Sequence, residues 1–176
     1  ADRIEFLNLG LPSETVSGLS EEGHANGRFP RPDLHERLGR VLAQTRPDLV
    51  FACYGMNDGI YLPFAAERFA AFQAGIRRLR ASVTATGARI VHLTPPVYDE
   101  MRGGRHGYAD VVQREAEWLV GQRGSGWEVI DVHHPMQQFL AQRRRSEPEF
   151  HLARDGVHVD EAGHWLIARE VLRHLG

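Results

Sequence analysis

Short apolar runs alternate along the chain with longer stretches in which apolar residues recur at helical spacing. Ile4-Glu5-Phe6-Leu7-Asn8-Leu9 reads as a strand. From 32 to 46, Leu34, Leu38, Val41 and Leu42 fall on one face behind Pro32, which predicts a helix. The unbroken run Leu49-Val50-Phe51-Ala52-Cys53-Tyr54 ends at Gly55 and suits a parallel strand buried on both faces. Phe69, Phe72, Ile76, Leu79 and Val83 predict a helix over 65–86. Ala88 to Leu93 is the next strand, stopped by Thr94-Pro95-Pro96. A helix over 108–122 would turn Val111, Val112, Trp118 and Leu119 inward, and Trp127 to Val132 reads as a further strand. Two helices follow, over about 135–145 and about 160–175.

The predicted order is βαβαβαβαα. Strands alternating with helices imply right-handed crossovers and a parallel sheet with helices on both faces. The expectation is one α/β domain over 1–176, a three-layer α/β/α sandwich with a flavodoxin-like sheet. Residues 99–107 (DEMRGGRHG) read as a mobile loop. In open parallel sheets ligands gather outside the carboxyl ends of the strands. Chemistry is therefore sought in 10–20, 55–61, 94–107 and the approach to the last helix.

Composition narrows the function classes. The chain has 176 residues, 42% apolar and 25% charged, with a net charge of −2, so neither a nucleic-acid footprint nor a basic membrane-surface face is expected. No apolar run reaches the roughly 20 residues of a membrane span. Cys53 is the single cysteine, which excludes an internal disulfide framework and a cysteine-cluster metal site. His133-His134 and the pair His158 and His164 lack the spacing that sets two ligands on one helical face, and no metal or other cofactor is expected. Arg143-Arg144-Arg145 reads as a solvated helix end. Tyr61, Trp118, Trp127 and Trp165 suit either the core or a sugar-binding cleft. The chain opens on Ala1-Asp2-Arg3-Ile4, directly into a strand pattern, which raises the expectation of an N-terminally truncated domain.

Three segments carry candidate chemistry. Tyr54-Gly55-Met56-Asn57-Asp58-Gly59 follows the most apolar strand. An amide there can donate to a developing oxyanion, although Gly, Asn and Asp also serve simply as turn formers. Asp155-Gly156-Val157-His158 precedes the last helix. A carboxylate three residues from an imidazole, across a glycine, can fix its tautomer and leave the other nitrogen as a general base. A plain Asx-turn fits the same residues, with Asp160 as a helix cap in either case. Asn8 to Thr15 (NLGLPSET) would turn main-chain N–H groups towards the same crevice, or form a turn capped by Ser13 or Thr15.

Taken together, these segments resemble the SGNH hydrolases, often called GDSL esterases or lipases. Gly55-Met56-Asn57-Asp58 matches that family's G-x-N-D block, and Asp155-Gly156-Val157-His158 its D-x-x-H block. Asn8 to Thr15 resembles its second block, with Ser13 in place of a glycine whose main-chain N–H donates to the oxyanion. The blocks occur in the family's order and span nearly the whole chain. The first block, G-D-S with the nucleophile, is absent. The resemblance implies hydrolysis of small or acetylated esters, carbohydrate esters among them, by acyl transfer to a serine. It assigns His158 as base, Asp155 as its orienting acid, and Asn57 and Ser13 as oxyanion donors. The serine is expected upstream of this chain, in a strand that lies between the strand of Phe6 and that of Phe51. Ser13, Ser17 and Ser20 are expected to cap and turn. The alternative is a non-catalytic carbohydrate-binding or scaffolding domain that keeps the fold.

Overall fold

The computed structural model describes residues 4–176. The elements are α1 (His24–Gly27), α2 (Leu34–Thr45), β1 (Leu49–Cys53), α3 (Ala66–Thr84), β2 (Arg89–Leu93), α4 (Glu100–Gly103), α5 (Tyr108–Gly121), a 3-10 turn (Gln122–Ser125), β3 (Glu128–Ile130), α6 (His133–Arg143) and α7 (Glu161–Leu175). α1 and α4 are single turns. The long helices fall where apolar periodicity places them, and their starts are fixed by local chemistry. Asp33 caps α2 by accepting from the His35 amide, and Asp160 caps α7 through the amides of Ala162 and Gly163.

β1, β2 and β3 form a parallel sheet in that order, with Cys53 opposite Leu93 and Leu93 opposite Ile130. Alternation along β2 divides the core. Ile90 joins Ala52, Val129, Leu38, Phe72, Ile76 and Leu119 in the layer formed with α2, α3 and α5. Val91 and Leu93 join Ile130, Met136, Leu140 and Leu166 in the layer formed with α6 and α7. The fold is thus the expected α/β arrangement, with helices on both faces of a parallel sheet. Among the described residues, no helix is long and apolar enough to cross a membrane.

Three expectations are corrected. Ile4 to Leu9 form no strand, and Ile4 and Phe6 are 76% and 87% exposed. Apolar alternation yields a strand only where a neighbour takes up the main-chain N–H and C=O groups, and no described strand lies beside this segment. β1 is an edge strand rather than one buried on both faces: β2 is its only described ladder partner, and Phe51 and Cys53 are exposed. Residues 99–107 are anchored rather than loose. Asp99 is buried, and its carboxylate is held by Arg144, which is therefore not part of a solvated helix end.

Candidate active site

The turn from Asp155 to His158 is built by Gly156. Its φ of +80° is easy only for glycine, and a Cβ there would lie 2.5 Å from the Gly103 nitrogen and 2.6 Å from the Asp99 carbonyl. The 99–104 strap therefore packs directly on the turn, and the Asp99 amide donates to the Gly156 carbonyl at 3.0 Å. Within the turn, Asp155 Oδ1 accepts from the amides of Val157 (3.0 Å) and His158 (2.8 Å). Asp155 Oδ2 lies 2.7 Å from His158 Nδ1. These bonds, the one to the imidazole foremost, hold the Asp155 carboxyl well below the usual carboxylate range. The imidazole is 86% exposed, which leaves its Nε2 open to an incoming group.

The second candidate segment folds back on the first by way of Asp58. This carboxylate is buried, and it accepts from the amides of Val16 (2.9 Å), Ser17 (2.8 Å) and Gly55 (3.0 Å). It thus ties the loop after β1 to the 13–17 loop. Asn57 spans the same junction: its Nδ2 donates to the Glu14 carbonyl at 3.3 Å, and its Oδ1 accepts from the Tyr61 hydroxyl at 3.2 Å. Glu14 is buried beside them, with Arg37 Nη2 at 2.7 Å and the Tyr54 hydroxyl at 2.6 Å from its Oε2. Ser13 adopts φ +65°, the left-handed conformation that a glycine would take most easily at this position. Its carbonyl accepts from Arg31 Nη1 at 3.2 Å.

Arg31 is clamped in turn by Glu21, through Nε–Oε2 at 2.6 Å and Nη2–Oε1 at 2.8 Å. Burial opposes ionisation of Glu21, yet the Arg31 hydrogen bonds bring its pKa down to about 2, so the pair is charged and mutually neutralised. Arg31, Tyr61 and Val157 line one cleft of about 500 Å³, together with Glu21, Glu22, Tyr98 and Arg105. Arg31 reaches Ser13, Tyr61 reaches Asn57, and Val157 adjoins His158, so each of the three candidate segments has a neighbour in this cleft. Tyr61 lines the cleft while packing against the core cluster of Tyr98 and Tyr108, whereas Trp118 and Trp127 pack against the main core and Trp165 is exposed.

Several residues here carry no signal that sequence reasoning used. Asp58 stood within the matched block but read as a turn former. The partners of Arg31, Glu14 and Tyr54 lie far along the chain, beyond the reach of any local pattern. A second Asp–His pair was also missed: His134 Nδ1 lies 2.7 Å from Asp131 Oδ2, at the carboxyl end of β3. It repeats the spacing of Asp155 and His158, but no residue within its turn lines the cleft as Val157 does, and its imidazole is half-buried where that of His158 is exposed. Among the described residues, no group of three or more His, Cys, Asp or Glu side chains is placed to hold a metal ion.

Residues 2–166 match the model of the GDSL-like Lipase/Acylhydrolase family. A catalytic mutant of the acetylxylan esterase Axe2 from Geobacillus stearothermophilus superposes with a TM-score of 0.63 at 21% identity, over 81% of this chain and 66% of that one. A gut microbial diltiazem-metabolizing enzyme gives a TM-score of 0.63 at 22% identity, over 80% of this chain and 36% of its own. The lipase/acylhydrolase from Enterococcus faecalis gives 0.60 at 18%, over 93% and 71%. At such identities the likeness speaks for the fold, and this chain spans just under two thirds of the acetylxylan esterase. No curated protein sequence matches. The family match covers nearly the whole chain, and the chain belongs to the GDSL-like lipase/acylhydrolase family of hydrolases.

Proposed function

We propose that this domain carries the acid–base and oxyanion groups of a serine ester hydrolase, with His158 as general base, Asp155 as its orienting carboxylate, and Asn57 Nδ2 and the Ser13 N–H as oxyanion donors. The observation that carries the reading is the 2.7 Å Asp155–His158 hydrogen bond, whose imidazole keeps Nε2 open beside the cleft. The nucleophile is a serine on a strand that docks along the open edge of β1. That edge supports the assignment because its main-chain groups have no described partner and Phe51 lies exposed on it.

In this mechanism the serine Oγ attacks the ester carbonyl carbon while its proton passes to His158 Nε2. Asp155 stabilises the imidazolium that forms. Asn57 and Ser13 donate to the oxygen that gains negative charge. Collapse of the tetrahedral intermediate breaks the bond to the alcohol, which leaves with the proton from Nε2. Water then repeats the sequence on the acyl-enzyme, releasing the acid and the serine.

The substrate class is a short acyl ester, such as an acetyl ester, of a hydroxyl-rich alcohol such as a carbohydrate. Support comes from the cleft lining, where the Glu21–Arg31 pair presents hydrogen-bonding groups without net charge. A second reading, a non-catalytic carbohydrate-binding domain, draws on the fact that no serine hydroxyl among the described residues hydrogen-bonds to His158. Turnover of p-nitrophenyl acetate separates the two. In a form of the protein that carries the nucleophilic serine, the esterase reading requires hydrolysis that falls by about 10³-fold or more in His158→Ala, the scale of losing a triad member. Sugar binding without turnover favours the second reading.

A further inference from the structure

Ile60 and Tyr61 both lie in the left-handed region, at φ +48° and +55°. Two consecutive non-glycine residues there, one of them β-branched, are uncommon, and each costs about 1–3 kcal/mol unless the surroundings impose the conformation. Here the surroundings do so. The Ile60 amide donates to the Asn57 carbonyl at 3.0 Å, and the Leu62 amide to the Gly59 carbonyl at 3.1 Å. Gly59 sits so close to α5 that a Cβ would lie 2.7 Å from Tyr108 and Val111. The strained turn sends the Tyr61 ring back over the site. It stacks on Tyr108 with ring centres 4.8 Å apart, lies under the Arg31 guanidinium at 5.3 Å, and brings its hydroxyl 3.2 Å from Asn57 Oδ1.

An asparagine amide can face either way, and only the orientation that turns Nδ2 to the crevice donates to an oxyanion. The Glu14 carbonyl accepts only, so it fixes Nδ2 on its own side of the amide. The Tyr61 hydroxyl can donate, which fixes Oδ1 on the opposite side. One hydrogen of Nδ2 is then taken by Glu14, and the other is left for the crevice. We infer that Tyr61 is a positioning residue that holds the Asn57 amide in its donating orientation, and that the strain at Ile60 and Tyr61 is retained because it places this hydroxyl. The inference rests on the proposed oxyanion role of Asn57.

The test is Tyr61→Phe, which keeps the ring, its stacking and its face of the cleft while removing the hydroxyl. Two readouts are needed. In the catalytically competent form of the protein, kcat for p-nitrophenyl acetate is expected to fall about tenfold with KM unchanged, short of the roughly 10²–10³-fold loss on removing an oxyanion donor itself. In the ¹H–¹⁵N spectrum, the Asn57 side-chain amide pair, identified by its disappearance in Asn57→Ala, is expected to shift and broaden. If kcat and the amide signals of Tyr61→Phe match the wild type while Asn57→Ala is impaired, the positioning role is overturned and the oxyanion assignment stands. If Asn57→Ala is as active as the wild type, the oxyanion assignment fails instead. The amide spectrum still shows whether Tyr61 holds Asn57, and an unchanged pair overturns that claim by itself.

Discussion

The buried carboxylate of Asp58 accepts a hydrogen bond from the main-chain nitrogen of Val16, 42 residues away, at 2.9 Å. With the Ser17 and Gly55 amides on the same carboxylate, it joins the two loops that carry Ser13 and Asn57. Close approach is needed on the far side as well, since a Cβ on Gly75 of α3 would fall 2.0 Å from the Val16 carbonyl. The two loops are therefore held as one body by a side chain that takes no part in the proposed chemistry.

Asp58→Ala removes the acceptor of three amides. At about 1–3 kcal/mol for each buried donor left unsatisfied, a loss of at least about 3 kcal/mol is expected, or roughly 10 °C in Tm for a domain of this size. Asp58→Asn keeps one oxygen acceptor and should fall between the two. Thermal melts of the three proteins check the order. An alanine variant as stable as the wild type would show that Asp58 does not hold the loops together.

His92 lies one residue from the end of β2, fully buried and stacked on Trp127 with ring centres 5.2 Å apart, and neither of its ring nitrogens has a hydrogen-bond partner. Burial lowers its pKa from 6.5 to about 4. Between those values the unfolded chain takes up a proton that the folded chain refuses, so stability is lost as pH falls through the window. The full span corresponds to about 3 kcal/mol. Denaturant melts of the wild type and His92→Leu at pH 7 and pH 4 test this. The variant should lose that part of the pH dependence whatever its stability at pH 7, and equal slopes in the two proteins would contradict the assignment.

Glu115 on α5 behaves in the opposite sense. It is fully buried with Oε2 unpartnered, and burial, reinforced by the nearby Asp58 carboxylate, pushes its carboxyl well above the ordinary 4.5. The folded chain keeps a proton that the unfolded chain releases above 4.5, so this group's contribution declines as pH rises from there. Glu115→Gln does not titrate. Its Tm should gain on the wild type progressively from pH 5 to pH 8 and show no such gain below pH 4. A constant difference across that range would rule the effect out.

How far the sequence was legible follows from the range of each interaction. Helical spacing at Leu34, Leu38 and Leu42, or at Phe72, Ile76 and Leu79, is local and survives into the structure with boundaries close to those expected. The pairing of Asp155 with His158 is equally local, because the three-residue turn closes on itself. Ile4 to Leu9 had the right alternation, but a strand is a relation between segments, and its neighbour cannot be read from its own residues. The same limit hid the reach of Asp58 to Val16 and of Arg144 to Asp99. The left-handed turn at Ile60 and Tyr61 was invisible for another reason: neither residue favours that conformation, and packing alone imposes it.

The open edge of β1 has a consequence for folding. Its ladder groups have no partner among the described residues beyond β2, and Phe51 is exposed on it. The 176-residue polypeptide is expected to be less stable than a form in which this edge is paired, and inactive as an esterase. Extending it at its N-terminus by a strand ending in Gly-Asp-Ser should raise the midpoint of the circular-dichroism melt and confer p-nitrophenyl acetate turnover together. An extended chain that gains no stability, or a 176-residue chain that already turns over the ester, would contradict this.

The central claim is that His158, held by Asp155, serves a serine docked beside β1. Site mapping of a fluorophosphonate adduct by mass spectrometry tests it most directly, because the reagent marks only a serine activated by its base. In the competent protein the adduct is expected on a serine outside residues 4–176, and it should be lost in His158→Ala. An adduct on Ser13, Ser17 or Ser20, or labelling that persists without His158, would contradict the account.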